Sequence, residues 1–389
     1  MTDRRVLVVG WRAGIGRALD ELGIEYSVWN KTPLKNPPKG VHVEVAPFPS
    51  TSEAVRARSR PLLEHGPFTH VIAGSEESVV TASYARRELG ARRSKHTTVR
   101  RCHDKLFMKE ALTEHGVPMT PFVDGNTPRA SSDVFQELGA PMVVKDRTAS
   151  GGRGMDLVHT SEEAARSPLK RRIAERFVDA PEVSVESFVV DGQVRFANVT
   201  EYLQKKHVNA VPAQLAPELE AQCRALSETV IAALRIQWGI THLELYLTDE
   251  GPLFGEIALR PPGGYIMEAM GLAYDFDAWR AFVAVELDLP FEFPAAAAYQ
   301  AAAVVLHPGA GRVKAVRGKK AVEADPNVTR LKVKIRAGDV VDPRVGVGTD
   351  VGYALVRAPD RVDLLESIGR VQKDLVFDMA TVQDVDRAR

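Results

Sequence analysis

Strand-like and helix-like stretches alternate through residues 5–90. RVLVVG (5–10) is a short apolar run, GRALDELG (16–23) has helical periodicity, and YSVWN (26–30) and THVIAG (69–74) are again strand-like. ESVVTASYARRELG (77–90) reads as a helix closed by Gly90. This alternation predicts a parallel sheet with helices on its faces. The polar, basic run ARRSKHTTVRR (91–101) lacks hydrophobic periodicity and reads as a domain boundary. HDKLFMKEALTEHG (103–116) predicts a helix, and PMVVKDRTASGGRGMDLVHT (141–160) predicts two strands around a glycine-rich loop. SEEAARSPLKRRIAERF (161–177) reads as helical with a break near Pro168, and residues 182–202 as a hairpin turning at Asp191-Gly192. A long amphipathic helix covers 216–236, and THLELYLTDEGPLFGEIALR (241–260) forms a second hairpin. Beyond Tyr299 the pattern becomes short strands with Gly and Pro turns, then a last helix (360–376) and a frayed tail.

The second hairpin carries the clearest chemistry. Strand residues alternate faces, so His242, Glu244, Tyr246 and Thr248 share one side. A tight turn centred on Glu250 sets Thr248 opposite Pro252, Tyr246 opposite Phe254 and Glu244 opposite Glu256. Like charges directly opposed on one face repel. Either one carboxyl stays protonated or a cation sits between them. Hard oxygen ligands suit Mg2+ with substrate phosphates, and Arg260 on the same face could grip a phosphoryl group. A solvated outer face with two ordinary glutamates is the plain alternative.

The loop Ser150, Gly151, Gly152, Gly154 lets backbone N–H groups approach an anion, with Lys145 on the preceding strand as a point charge. It lacks the P-loop order of glycines followed by Lys-Ser/Thr. A flexible hairpin tip is the alternative reading, and Lys105 is equally ambiguous by itself. Glu182 and Glu186 share a strand face, a weak signal for a ribose-binding carboxylate. His207 is a candidate base or acceptor-binding group, and Glu76 a candidate for a substrate ammonium.

Composition narrows the partners. Lys plus Arg and Asp plus Glu are both 51, so no charge excess points to a nucleic acid. Two cysteines, Cys102 and Cys223, do not make a disulfide framework. The opening MTDRR lacks a secretory pattern, and the apolar stretch 295–311 is too short and interrupted to span a bilayer. A cytoplasmic protein without membrane partners is expected.

In this order, RCHDK, VVKDRTASGGRGM, AERFVDAPEVSVE and HLELYLTDEGPLFGEIALRPPGG resemble the ATP-grasp superfamily, specifically its carboxylate–amine (amino-acid and dipeptide) ligases. The resemblance covers nearly the whole chain. It implies an α/β ATP-grasp fold with an N-terminal Rossmann-like domain (1–98), a central ATP-grasp domain (99–292, lid about 118–180) and a small C-terminal β-rich region with a terminal helix (293–389). It implies ATP and two Mg2+ ions, replaceable by Mn2+, small-molecule acid and amine substrates, and a homodimer. Lys105 and Lys145 look like the phosphate lysines, Ser150 to Gly154 like the lid, and Glu175, Arg176, Phe177 and Val178 like the hinge beside adenine. Glu182 looks like the ribose carboxylate, Glu244 and Glu256 like the metal ligands, and Arg260 like the phosphoryl-steadying arginine. Gly263 and Gly264 look like the turn beside the acceptor. Ala258 departs from the pattern, because many relatives carry Asn there as a further metal ligand. The expected activity is ADP-forming ligation through an acyl phosphate. A bicarbonate-activating carboxylase and a nucleotide-binding protein without turnover are the alternatives. The glycine spacing of GWRAGIGRAL also occurs in short-chain dehydrogenases, but Tyr84 is followed four residues on by Glu88, not the lysine of their Tyr-x3-Lys pair.

Overall fold

The structure, a computed structural model, describes residues 4–91, 95–344 and 349–380. The expected parallel sheet is present. Its strands lie in the order Val43–Val45, Glu25–Asn30, Arg5–Val9, His70–Ala73, and every neighbouring pair is parallel. Val6 and Val8 pack with Ile15 and Leu19, while Leu7 and Val9 pack with Val55, Leu62 and Ala82. Both faces are covered, which is why the first strand reads as an unbroken apolar run.

The opening glycine turn is a packing device. Gly14 lies on the helix Ala13–Glu21, and a Cβ there would sit 2.3 Å from the Trp279 ring. A Cβ on Gly16 would meet Trp11 at 2.1 Å. Gly14 therefore lets this helix press against the buried helix Ala278–Leu287, and Gly16 makes room for Trp11.

An eight-stranded sheet forms the body of the molecule. Its order is Gly251–Leu259, Trp238–Thr248, Glu182–Val190, Gln193–Gln204, Val208–Val211, Gln300–Leu306, Gly352–Ala358, Val328–Val333. Val208–Val211 pairs antiparallel with Gln300–Leu306, so the sheet runs without a break from the central region into the C-terminal one. A separate four-stranded antiparallel sheet orders Phe122–Asp124, Arg172–Arg176, Met142–Asp146 and Met155–Val158, and it carries the glycine-rich loop at one of its turns.

The break near Pro168 is present, and other local expectations change. The helix after Thr160 ends at Arg166, just before Ser167-Pro168, where the residue preceding proline leaves helical geometry. RIAER is instead a strand, paired on both edges, where pairing overrides its helical composition. The basic run contains a helix, His96–His103, that buries Thr98, Val99 and Cys102. The last helix, Arg361–Asp374, leads into a strand, Val376–Ala380, that pairs with Gly311–Arg317. Arg92, Arg93 and Ser94 of the basic run, and the remainder of the tail (381–389), lie outside the described residues. Among the described residues no helix is long and apolar enough to cross a membrane.

Gly14→Ala should lower stability by about 1–3 kcal/mol, because the added methyl overpacks a buried tryptophan contact. Urea unfolding checks this; an unchanged midpoint would show that the close approach carries no cost.

Candidate active site

Most of the candidate site residues converge on one cleft of about 570 Å3, lined from the N-terminal, central and C-terminal parts of the chain. Its floor is the hairpin of Trp238–Thr248 and Gly251–Leu259. Glu244 and Glu256 are directly opposed, as the alternation predicts. The route to that pairing differs from expectation. The turn is tighter, with Thr248 opposite Gly251 and Tyr246 opposite Leu253, and a bulge between Glu244 and Leu245 restores the register at the glutamates. Gly255 is the extra residue, where a Cβ would come within 3.0 Å of the Glu244 carbonyl oxygen. The bulge also moves Phe254 off the glutamate face. It is fully buried with Leu243, Leu245 and Ile257.

Cations surround the two acids. Lys105 Nζ stands 3.2 Å from Glu256 Oε1 and donates to the Ala149 carbonyl at 2.5 Å. Lys105 opens the helix Lys105–Thr113, capped by Asp104, which Arg147 grips through two bonds of 2.9 and 2.7 Å. That clamp ties the helix to the glycine-loop strand and brings Lys105 and Lys145 together. Lys145 pairs with Glu175 at 3.0 Å, and Lys109 reaches the other Glu175 oxygen at 3.3 Å. Burial opposes the charge on Glu175, yet the two lysines hold its pKa below the ordinary range. Burial also opposes the charge on Lys145, but Glu175 and Glu256 raise its pKa.

A buried network supports Glu244 from beneath. His242 Nδ1 lies 2.8 Å from Glu186 Oε1, and His242 Nε2 lies 3.5 Å from Glu244 Oε1. Glu186 is fully buried and accepts from Ser184, Asn198 and Thr200. Burial disfavours the imidazolium, but its bonds to Glu186 and Glu244 outweigh that and raise the His242 pKa to about 9. The same histidine lowers the pKa of Glu244, against the effect of burial.

Arg260 and Glu76 meet across the cleft. Arg260 Nε donates to Glu76 Oε2 at 2.8 Å, and His103 Nδ1 lies 2.8 Å from Glu76 Oε1. Burial would raise the Glu76 pKa, but the His103 bond and the Arg260 charge bring it to about 2. Both Glu76 oxygens are thus engaged, and the carboxylate steadies Arg260 instead of standing open to an ammonium.

Ser150, Gly151, Gly152, Glu182, Gly263 and Gly264 also line the cleft. Gly151, Gly152 and Gly154 have φ of +66°, +79° and +61°, a backbone that favours glycine. Glu182 pairs with Lys205, and Gly264 is held by Asn209 through its carbonyl at 2.8 Å. Three groups of candidate residues lie apart from the cleft lining. Glu175 turns inward to its lysines, and Arg176, Phe177 and Val178 do not line the cleft; Arg176 Nε is spent on the Leu138 carbonyl at 3.0 Å. Gly154 also lies off the cleft wall, against the Asp146 carboxylate. His207 lies outside the cleft, 3.1 Å from Arg344 Nη1; burial and that guanidinium lower its pKa.

The cleft suits a divalent cation bound with a triphosphate. Its acids are hard oxygen donors, and an ammonium already sits against one of them. Among the described residues no third His, Cys, Asp or Glu completes a protein-only metal cage, and Ala258 supplies no ligand. Remaining ligands would come from substrate oxygens and water.

Residues 110–269 match the ATP-grasp domain family, and the eight-stranded sheet with its separate glycine-loop sheet is the fold of solved ATP-grasp enzymes. The central region therefore matches the ATP-grasp domain family, and the chain has the ATP-grasp fold. Residues 304–380 match the L-amino acid ligase C-terminal domain 2. An L-arginine-specific L-amino acid ligase of Bacillus subtilis is 27% identical over 240 residues, covering 57% of this chain and 58% of the relative. An uncharacterised Sinorhizobium fredii protein is 23% identical over 307 residues, covering 74% of this chain and 63% of the relative. The chain thus spans about six-tenths of the length of these curated relatives. The crystal structure of an L-amino acid ligase from Bacillus licheniformis has a TM-score of 0.83 at 18% identity, covering 97% of this chain and 99% of the other. N5-carboxyaminoimidazole ribonucleotide synthetase from Thermotoga maritima has a TM-score of 0.76 at 21% identity, covering 97% and 100%.

His242 generates a pH prediction. Its folded pKa of about 9 lies above the unfolded value of about 6.5, so its stabilisation is fully present below pH 6.5 and lost as pH rises through 9. The stability difference between the protein and His242→Gln should therefore shrink by on the order of 3 kcal/mol between pH 6 and 10. Paired urea titrations would check it; a constant difference would show that the imidazole does not carry the charge.

Proposed function

We propose that the protein is an ATP-dependent, ADP-forming carboxylate–amine ligase, with an amino acid as at least one substrate. One observation carries the reading: the opposed Glu244 and Glu256, ringed by Lys105, Lys145 and Arg260 in a single cleft. The match of residues 304–380 to the L-amino acid ligase C-terminal domain favours an amine acceptor over bicarbonate. The two buried, unpaired cysteines fit a reducing, cytoplasmic setting.

In this reading Glu244 and Glu256 hold Mg2+, two ions with ATP bound, which would supply charge neutralisation at the phosphate oxygens. Phosphoryl transfer needs positioning and charge compensation more than covalent help. Lys105 and Lys145 bind the β- and γ-phosphate oxygens, and Glu182 receives the ribose hydroxyls. The substrate carboxylate attacks the γ-phosphorus; the new O–P bond forms as the β–γ bridge breaks and ADP leaves. Arg260, fixed by Glu76, orients the transferred phosphoryl group. The amine nitrogen then attacks the acyl carbon, the C–N bond forms, the C–O bond to phosphate breaks, and phosphate leaves with the electron pair. The departing phosphate carries away the amine proton. The glycine loop closes over the acyl phosphate and excludes the water that would hydrolyse it.

Glu256→Gln should reduce ADP release by at least about 100-fold at normal magnesium, with an unchanged unfolding midpoint; near-normal turnover would remove the metal assignment. Hydroxylamine with ATP and a panel of carboxylic acids should yield a hydroxamate from the cognate acid. ADP release that instead depends on bicarbonate, without hydroxamate from any acid, would favour the carboxylase reading.

A further inference from the structure

We propose that Arg12 receives the carboxylate of the amine substrate and so selects amines that carry one; this rests on the ligase reading above. Arg12 sits inside the glycine turn that opens the chain. Packing against Trp279 and Trp11 accounts for Gly14 and Gly16, but it leaves the arginine between the strand and the helix without a purpose. Arg12 precedes the helix Ala13–Glu21 and makes no side-chain cap.

Its side chain lines the cleft. Arg12 Nε donates to the Gly74 carbonyl at 3.0 Å, Nη2 lies 3.5 Å from the Pro262 carbonyl, and the guanidinium lies 5.9 Å from the Trp279 ring centre. Among the described residues no carboxylate stands within ion-pair distance of it. Glu268, on the same wall, accepts from the Trp279 indole at 3.2 Å. Carbonyl dipoles and a ring face orient a guanidinium but do not neutralise it. Burial, with the charge of Arg260, lowers the Arg12 pKa, and Glu268 only partly offsets this. A partly buried cation without a counter-ion draws an anionic group from whatever enters the cleft.

The position says which anion. Arg260 Nη1 donates to the Pro261 carbonyl at 3.0 Å, and Arg12 reaches toward the next carbonyl, Pro262. The two guanidiniums therefore flank one short segment, with the phosphoryl site at Arg260. An α-amino acid carries its carboxylate one carbon from its nitrogen. Held in the planar fork of Arg12, that carboxylate would place the nitrogen beside the acyl group.

The test compares amino acids with their amides as acceptors, using the acid that yields hydroxamate. The intact protein should prefer each accepted amino acid to its amide in kcat/KM. In Arg12→Gln that preference ratio should fall about 10- to 100-fold, mainly through KM for the amino acid, and Arg12→Lys should keep part of it. Equal use of amino acids and amides by the intact protein would overturn the proposal. So would an unchanged ratio in Arg12→Gln, where both acceptors suffer alike and the arginine serves only the fold. Preference for dicarboxylic acids in the hydroxamate assay, with amides accepted freely, would place the anion on the acid and also overturn it. Failure of every acid to give hydroxamate would remove the ligase reading, and this inference with it.

Discussion

Two carboxylates opposed across neighbouring strands repel, and the cleft is organised around that repulsion. Glu244 and Glu256 keep their pairing because positive groups approach each from a different side. Lys105 comes to Glu256 from the start of a helix, and His242 comes to Glu244 from the buried floor. Lys145 adds its charge while anchored to Glu175. A cleft built this way can exchange an ammonium for a stronger cation that arrives with substrate, which is the behaviour proposed for its metal sites.

The fold brings these groups together from distant stretches of chain. Asp104 and Arg147 join a helix start to a strand of the glycine-loop sheet, and so set two lysines on one wall. Glu76 comes from the edge of the parallel sheet and meets Arg260 from the end of the hairpin. The eight-stranded sheet continues into the C-terminal region, from which Arg344 and Asp350 reach the same cleft. Asp350 is itself held by Tyr265 and Lys334. Close packing at Gly14 fixes the N-terminal helix against Trp279, directly behind Arg12.

Much of this was legible in the chain, for reasons that differ by residue. Strand alternation was enough to face Glu244 with Glu256, although the turn and the Gly255 bulge each shifted the register in ways that cancel at that pair. The glycine-rich loop and its neighbouring Lys145 stood out because few backbones need three residues with positive φ so close together. RIAER was misread because its composition favours a helix, whereas two pairing partners distant in sequence make it a strand. Long-range partners hid the rest. Glu175 reads as an exposed hinge acid until Lys109 and Lys145 are seen around it. Nothing local marks His242 as the bridge between Glu186 and Glu244. The four-residue step from Lys105 to Lys109 along one helix face was the available signal for the second buried lysine.

The proposed exchange of cations is tested most directly by a crystal structure grown with ADP and Mn2+, with anomalous diffraction collected at the manganese edge. The account predicts anomalous density between the Glu244 and Glu256 carboxylates, with Lys105 drawn off Glu256 toward phosphate. Ordered nucleotide in the cleft with no manganese at either glutamate would contradict it.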